Sequence, residues 1–177
     1  MSLVVLLGGA RAGKSALAVE LARRWDGPVA YVATAEPGDD EMVRRIERHR
    51  AERSTDWATI EEPLALRNAL AGLDADTLAV VDCLTLWVAN LLARGNSVLD
   101  EAEAVAELAA ARTAPVIVVT NEVGLGVVPA TPAGREYRDL LGAVNAAFVR
   151  RADDAAFVVA GRPFPLADDW MPEALHG

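Results

Sequence analysis

The stretch "LVVLLGGARAGKSALAVE", residues 3–20, limits the fold more than any other part of the chain. An apolar, β-branched run leads into G-x-x-x-x-G-K-S, and a helical pattern begins at once. Strand, glycine loop and helix in that order match a phosphate loop made of Gly8, Gly9, Ala10, Arg11, Ala12, Gly13, Lys14 and Ser15. Glycines let backbone N–H groups turn inward around phosphate oxygens, and the helix N-terminus adds partial positive charge. Lys14 is expected to reach the β- and γ-phosphates, and Ser15 to ligate Mg2+. Of the 17 basic residues only Lys14 is a lysine, as if this one position needs a compact ammonium that a guanidinium fork cannot replace. The competing reading is a glycine-rich turn with no ligand.

The rest of the chain repeats the alternation. Strand-like runs at 3–9, 28–35, 57–63, 77–84, 114–122 and 155–161 are separated by helical runs at 15–25, 39–53, 64–71, 85–94, 98–112 and 135–152. Continuous apolar strands between helices predict a mostly parallel sheet covered by helices on both faces, an α/β fold of the phosphate-loop NTPase type (RecA-like). No linker divides the chain, so 1–177 reads as a single nucleotide-binding domain with an irregular tail at 162–177. Such sheets bind ligands at the carboxyl ends of their strands, which focuses attention on 8–15, 34–36, 82–85 and 120–124.

Composition narrows the function classes. A net charge of -9 argues against nucleic acid or an anionic membrane as partner. No apolar run reaches the roughly 18 residues of a membrane span. The apolar start lacks a basic region, so no signal peptide is expected. One cysteine, Cys83, cannot form an internal disulfide and fits a reduced, cytoplasmic setting as a buried small hydrophobe. Two distant histidines and one cysteine build no zinc site, and no serine-histidine-acid triad can be argued. Trp57 and Trp87 read as core residues rather than base-stacking platforms.

Two carboxylates fall at strand ends. Asp82 ends "LAVVD" and is favoured as a Mg2+ ligand, direct or through water, with capping of the next helix as the alternative. Glu122 ends "VVTNE" and suits either substrate or proton handling, or a turn bonded to its own loop.

The run "RRIERHRAER", residues 44–53, is a cationic island: five arginines and two glutamates give +3, leaving -12 for the rest. Met42, Ile46 and His49 fall at i, i+4 and i+7 and share a helix face. That spacing suits a nucleophile over a site and equally a packed structural histidine. Arg45 and Arg53 lie four residues either side of His49. Cations there would favour the neutral imidazole, the form that attacks a phosphate. Arg50 and Arg53 are candidates for phosphate contacts, or for pairing with Glu47 or Glu52.

Taken together, "GGARAGKS", "YVATAE" (31–36), "DDEMVRRIERHRAER" followed by Trp57, "VVDCLTLWVANLL" (80–92) and "VTNEVGLGVVP" (119–129) resemble one family. It is the bifunctional adenosylcobinamide kinase/adenosylcobinamide-phosphate guanylyltransferases, matched over roughly residues 3–161. The resemblance implies phosphorylation of adenosylcobinamide with ATP or GTP. Transfer of GMP from GTP to adenosylcobinamide phosphate then follows, through a guanylylated histidine, His49. It implies nucleotide contacts at Gly8 to Ser15, at Thr34, Ala35 and Glu36, at Arg50, Ala51, Glu52 and Arg53, and at Glu61 and Asp82. Members similar to this chain carry glutamate where it has Asp82, which leaves open the reach of the shorter arm. A homotrimer with interfaces near the active site is also implied. Two rivals share the phosphate loop: a small-molecule kinase without guanylyltransferase activity, and a non-catalytic nucleotide-dependent switch.

Overall fold

The computed structural model describes residues 3–166 apart from Asp39 and Glu52; in the helix at 40–51 it describes Glu41, Met42, Arg45 and His49 as helical positions, without their side chains. The strands are β1 (Leu3–Leu7), β2 (Val29–Ala33), β3 (Ala58–Glu61), β4 (Leu78–Asp82), β5 (Val116–Val119), β6 (Asp154–Val159) and β7 (Arg162–Pro165). The helices are α1 (Lys14–Ala22), α2 (Asp40–Ala51), α3 (Leu66–Ala71), α4 (Leu84–Ala93), α5 (Val98–Ala111) and α6 (Pro132–Val149). The strands form one sheet in the order β3-β2-β4-β5-β1-β6-β7. All pairings are parallel except β6 with β7.

Side chains alternate across this sheet, and both faces are buried. One face packs Leu3, Val5, Val32, Val81, Val116 and Val118 against α3, α4, α5 and α6, with Trp87 and Phe148 fully buried. The other packs Leu6, Tyr31, Val80, Ile117 and Val119 against Ala18, Val19 and Ala22 of α1. This two-sided burial explains why the strands read as unbroken apolar runs rather than alternating ones.

Two elements differ from the sequence expectation, each for a local reason. Residues 162–165, expected to open an irregular tail, form β7 instead. Ala160 and Gly161 both take positive φ, 50° and 76°, and close a tight hairpin. Pro163 and Pro165 are tolerated because β7 is an edge strand, paired only with β6. The long helix begins at Pro132 rather than 135. Thr131 caps it by accepting from the Gly134 N–H at 3.1 Å, and proline suits the first helical position. Among the described residues no helix is long and apolar enough to cross a membrane.

Candidate functional site

The phosphate loop joins β1 to α1, and its shape is set by close backbone approaches. A Cβ on Gly8 would lie 2.3 Å from the Val158 carbonyl oxygen, and its φ is +148°. Gly13, at φ +99°, lies against Gly161 at the β6–β7 hairpin. The hairpin also donates from Gly161 N–H to the Ala12 carbonyl at 2.8 Å, and Glu122 N–H donates to the Gly8 carbonyl at 3.1 Å. The loop is thus held by β6–β7 on one side and by the end of β5 on the other. Arg11 takes φ 60° and projects an exposed side chain.

Lys14 is buried at the loop's centre. Its ammonium donates to the carbonyls of Gly8 at 3.0 Å and Gly9 at 2.7 Å. A guanidinium is broader than this site, which accounts for the single lysine of the chain. One prediction follows from the same geometry. Gly8→Ala should lower stability by about 3 kcal/mol and lose nucleotide binding, because strain and overlap act together. Gly9 has no neighbour within 4 Å of an added Cβ, so Gly9→Ala should stay within about 1 kcal/mol of the parent. Thermal melts of the two variants check the contrast, and equal melts would contradict it.

A second concave feature lies at the carboxyl ends of β2 and β4, under α2. It is a cleft of about 270 Å³, near the lower end for small-molecule sites at about 300 Å³. Its apolar wall includes Ala33, Ala35, Val43, Ile46 and Leu86; Glu47, Arg50, Arg53, Glu61 and Asp82 supply charge. Among the described α2 side chains, the ones that line it, Val43, Ile46, Glu47 and Arg50, follow i, i+3, i+4, i+7.

The expected contacts separate into groups. Arg50 and Glu61 both line the cleft and form an ion pair there. Arg50 therefore pairs across to β3 rather than with Glu47, one of the partners expected; the other, Glu52, lies outside the described residues. Arg53 also lines the cleft, but beyond the end of α2 at Ala51. Its expected place on the His49 face, one helical turn on, is corrected for that reason. Its guanidinium instead lies over the Tyr31 ring, 3.6 Å from the centroid. Ala35 lines the cleft, and Ala51 is exposed at the helix end. Glu36 accepts from Arg94 Nη2 at both carboxylate oxygens, at 2.7 and 3.1 Å. The side chains of His49 and Arg45 lie outside the described residues; both positions are within α2, and His49 directly precedes Arg50.

Thr34 is fully buried and its polar atoms are all engaged. The hydroxyl donates to the Cys83 carbonyl at 2.7 Å and accepts from the Cys83 N–H at 2.8 Å. Its carbonyl accepts from Asn90 and its N–H donates to the Asp82 carbonyl. Thr34 therefore shapes the backbone beneath Asp82 rather than opening onto the cleft. Asp82 accepts the Tyr31 hydroxyl at 2.5 Å. The residue at the N-cap of α4 is Cys83, with no side-chain cap bond, so the capping alternative for Asp82 is not realised. Burial, then the Asp82 carboxylate, push the Tyr31 phenol far above its ordinary value, so it stays a neutral donor. Glu122 accepts from the Gly124 N–H at 2.5 Å, the turn reading of that residue. Cys83 and Trp87 are buried, as expected.

Tyr31 and Asn90 escaped the sequence reading. Each is a polar group inside a largely apolar element, "VAYVA" and "LTLWVANLLA". That is the signal that finds them, since a buried polar group needs a partner. Asn90 donates to the Thr34 and Pro63 carbonyls at 2.9 and 3.1 Å and ties α4 to the ends of β2 and β3.

Comparison with known proteins follows the same lines. The family model described as cobinamide kinase / cobinamide phosphate guanyltransferase matches residues 4–166. The chain is 47% identical over 165 residues to the bifunctional adenosylcobalamin biosynthesis protein CobP of Pseudomonas aeruginosa, covering 92% of this chain and 95% of that one. It is 35% identical over 175 residues to the bifunctional adenosylcobalamin biosynthesis protein CobU of Escherichia coli, covering 90% and 96%. Among solved structures, the type III secretion ATPase EscN of enteropathogenic E. coli superposes with a TM-score of 0.57 at 13% identity, over 90% of this chain and 43% of that one. That likeness shows a phosphate-loop NTPase fold of the RecA-like kind.

Proposed function

The chain belongs to the cobinamide kinase / cobinamide phosphate guanyltransferase family, and from that membership we propose how its residues divide two reactions on one substrate. It is a bifunctional enzyme of adenosylcobalamin biosynthesis that acts on cobinamide and nucleotides. Membership favours this reading over a kinase alone or a nucleotide switch.

In the kinase step, the hydroxyl of adenosylcobinamide attacks the γ-phosphorus of ATP or GTP. The bond to the β–γ bridging oxygen breaks, the nucleoside diphosphate leaves, and the hydroxyl proton passes to water. Backbone N–H groups of the loop from Gly8 to Ser15 cradle the phosphates, and Lys14 neutralises charge that spreads over the transferring group. Mg2+ fits the donors present. Ser15 and Asp82 offer hard oxygens, the kind of donor that Mg2+ takes beside phosphate oxygens. When bound, the ion would neutralise phosphate charge; Ser15 and Asp82 would hold it.

In the guanylyltransferase step, the His49 imidazole attacks the α-phosphorus of GTP. An N–P bond forms and pyrophosphate leaves. A phosphate oxygen of adenosylcobinamide phosphate then attacks the same phosphorus, the N–P bond breaks, and adenosylcobinamide-GDP forms with free imidazole. Arg50 and Arg53 would hold the triphosphate, Arg50 exchanging its bond to Glu61 for one to phosphate. A covalent intermediate splits one nucleotidyl transfer into two displacements. The nucleophile's identity rests on the family resemblance and on its place beside Arg50. Our reading includes a homotrimer in the cytoplasm.

The observation that carries the division of labour is the pair of concave features. The phosphate loop stands at the end of β1, and the arginine-bearing cleft stands at the ends of β2 and β4. The test uses one preparation. Adenosylcobinamide should elicit nucleoside diphosphate from ATP or GTP, and adenosylcobinamide phosphate should elicit pyrophosphate from GTP. A preparation with only one of these outputs contradicts the two-reaction reading.

A further inference from the structure

Tyr31 is the only residue of β2 with a polar side chain. It is 1% exposed, so its hydroxyl needs a partner inside the protein. Asp82 is that partner, at 2.5 Å. The register explains the reach. Tyr31 stands opposite Val80 and Ala33 opposite Asp82, so the phenol runs diagonally to the residue two positions further along the neighbouring strand. The ring itself carries Arg53, with the guanidinium carbon 3.6 Å from the centroid. One buried side chain thus touches two groups of opposite charge. Both line the cleft, Asp82 from the end of β4 and Arg53 from the segment after α2.

We propose that Tyr31 is a positioning residue of the nucleotide cleft: its hydroxyl fixes the Asp82 carboxylate and its ring seats the Arg53 guanidinium, so that both face the bound nucleotide together. The inference rests on the roles proposed above for Asp82 and Arg53. Without the hydroxyl the carboxylate loses a charge-assisted donor and turns more freely. Without the ring the guanidinium loses its cation–π seat.

The two functions separate experimentally. The probe is α,β-methylene-GTP, which cannot release pyrophosphate, titrated by calorimetry into the full chain in EDTA and in Mg2+. Mg2+ should tighten binding to the parent protein. Tyr31→Phe keeps the ring, so its affinity in EDTA should stay within about twofold of the parent. It should lose about tenfold of the Mg2+-dependent gain, as Asp82→Asn should. Tyr31→Leu should also weaken binding in EDTA, by about fivefold. If it does not fold, Arg53→Gln takes its place and should weaken binding in EDTA while keeping the Mg2+ gain. A role in packing alone would lower the melting temperature without separating the two conditions. Tyr31→Phe with the full gain, beside Asp82→Asn without it, overturns this inference alone. Asp82→Asn with the full gain overturns the metal role of Asp82 and this inference with it.

Discussion

Replacing Lys14 by alanine should lower cobinamide-dependent phosphoryl transfer by about 10²- to 10³-fold, the effect of removing one preorganised charge stabiliser. The ammonium is buried at the centre of the loop and fixed by two carbonyls, at 3.0 and 2.7 Å. It is positioned before the nucleotide arrives, so no reorganisation is needed as charge moves to the leaving diphosphate. Lys14→Arg should fail to rescue. The planar fork is wider than the space between Gly8 and Gly9, and the buried site cannot widen without moving Gly8 against Val158. Lys14→Ala takes a donor from the Gly8 and Gly9 carbonyls and should cost about 1–2 kcal/mol of stability, and Lys14→Arg more, because it presses Gly8 toward Val158, so activities are compared at a temperature where both variants stay folded. Kinase activity within tenfold of the parent in Lys14→Ala would remove the phosphate loop from the kinase step.

The second large effect is expected at His49. His49→Ala should reduce formation of adenosylcobinamide-GDP by at least about 10³-fold, as loss of a covalent nucleophile does. Phosphorylation of adenosylcobinamide by the same protein should persist within about threefold, because Lys14 and Ser15 of the phosphate loop follow β1 and do not lie on α2. Coupled loss of both activities would mean one shared nucleotide site rather than two working parts.

Much of the fold was legible because its physics is local. Strands buried on both faces are close to continuously apolar: β1 and β5 are so throughout, and β2 and β4 are so apart from Tyr31 and Asp82. The phosphate loop was legible because glycine is required where Gly8 meets Val158. β7 was hidden because its two prolines argue against a strand, and only an edge position excuses them.

The cleft was harder to see. A search for apolar periodicity on α2 selects Met42, Ile46 and His49. Among the described α2 side chains, those that line the cleft are Val43, Ile46, Glu47 and Arg50, two of them charged. A face that meets a ligand mixes charge with its apolar members, so a search for an apolar stripe finds Ile46 and misses Val43, Glu47 and Arg50. Spacing also placed Arg53 one turn past His49, but the helix ends at Ala51, and tertiary contact with Tyr31 decides where that guanidinium sits. Thr34 illustrates the converse. Its place just after a strand suggested a ligand contact, whereas pairing with Cys83 and Asn90 takes up its polar atoms. Contacts between strands distant in sequence are not written in either strand alone.

The central claim is that His49 carries GMP between GTP and adenosylcobinamide phosphate. Incubating the protein with GTP labelled at the α-phosphate, then separating protein from nucleotide, measures this directly. Acid-labile, base-stable label is expected on the parent protein, discharged by adenosylcobinamide phosphate, and none on His49→Ala. Full labelling of His49→Ala, or a parent protein that takes no label while still making adenosylcobinamide-GDP, would contradict it.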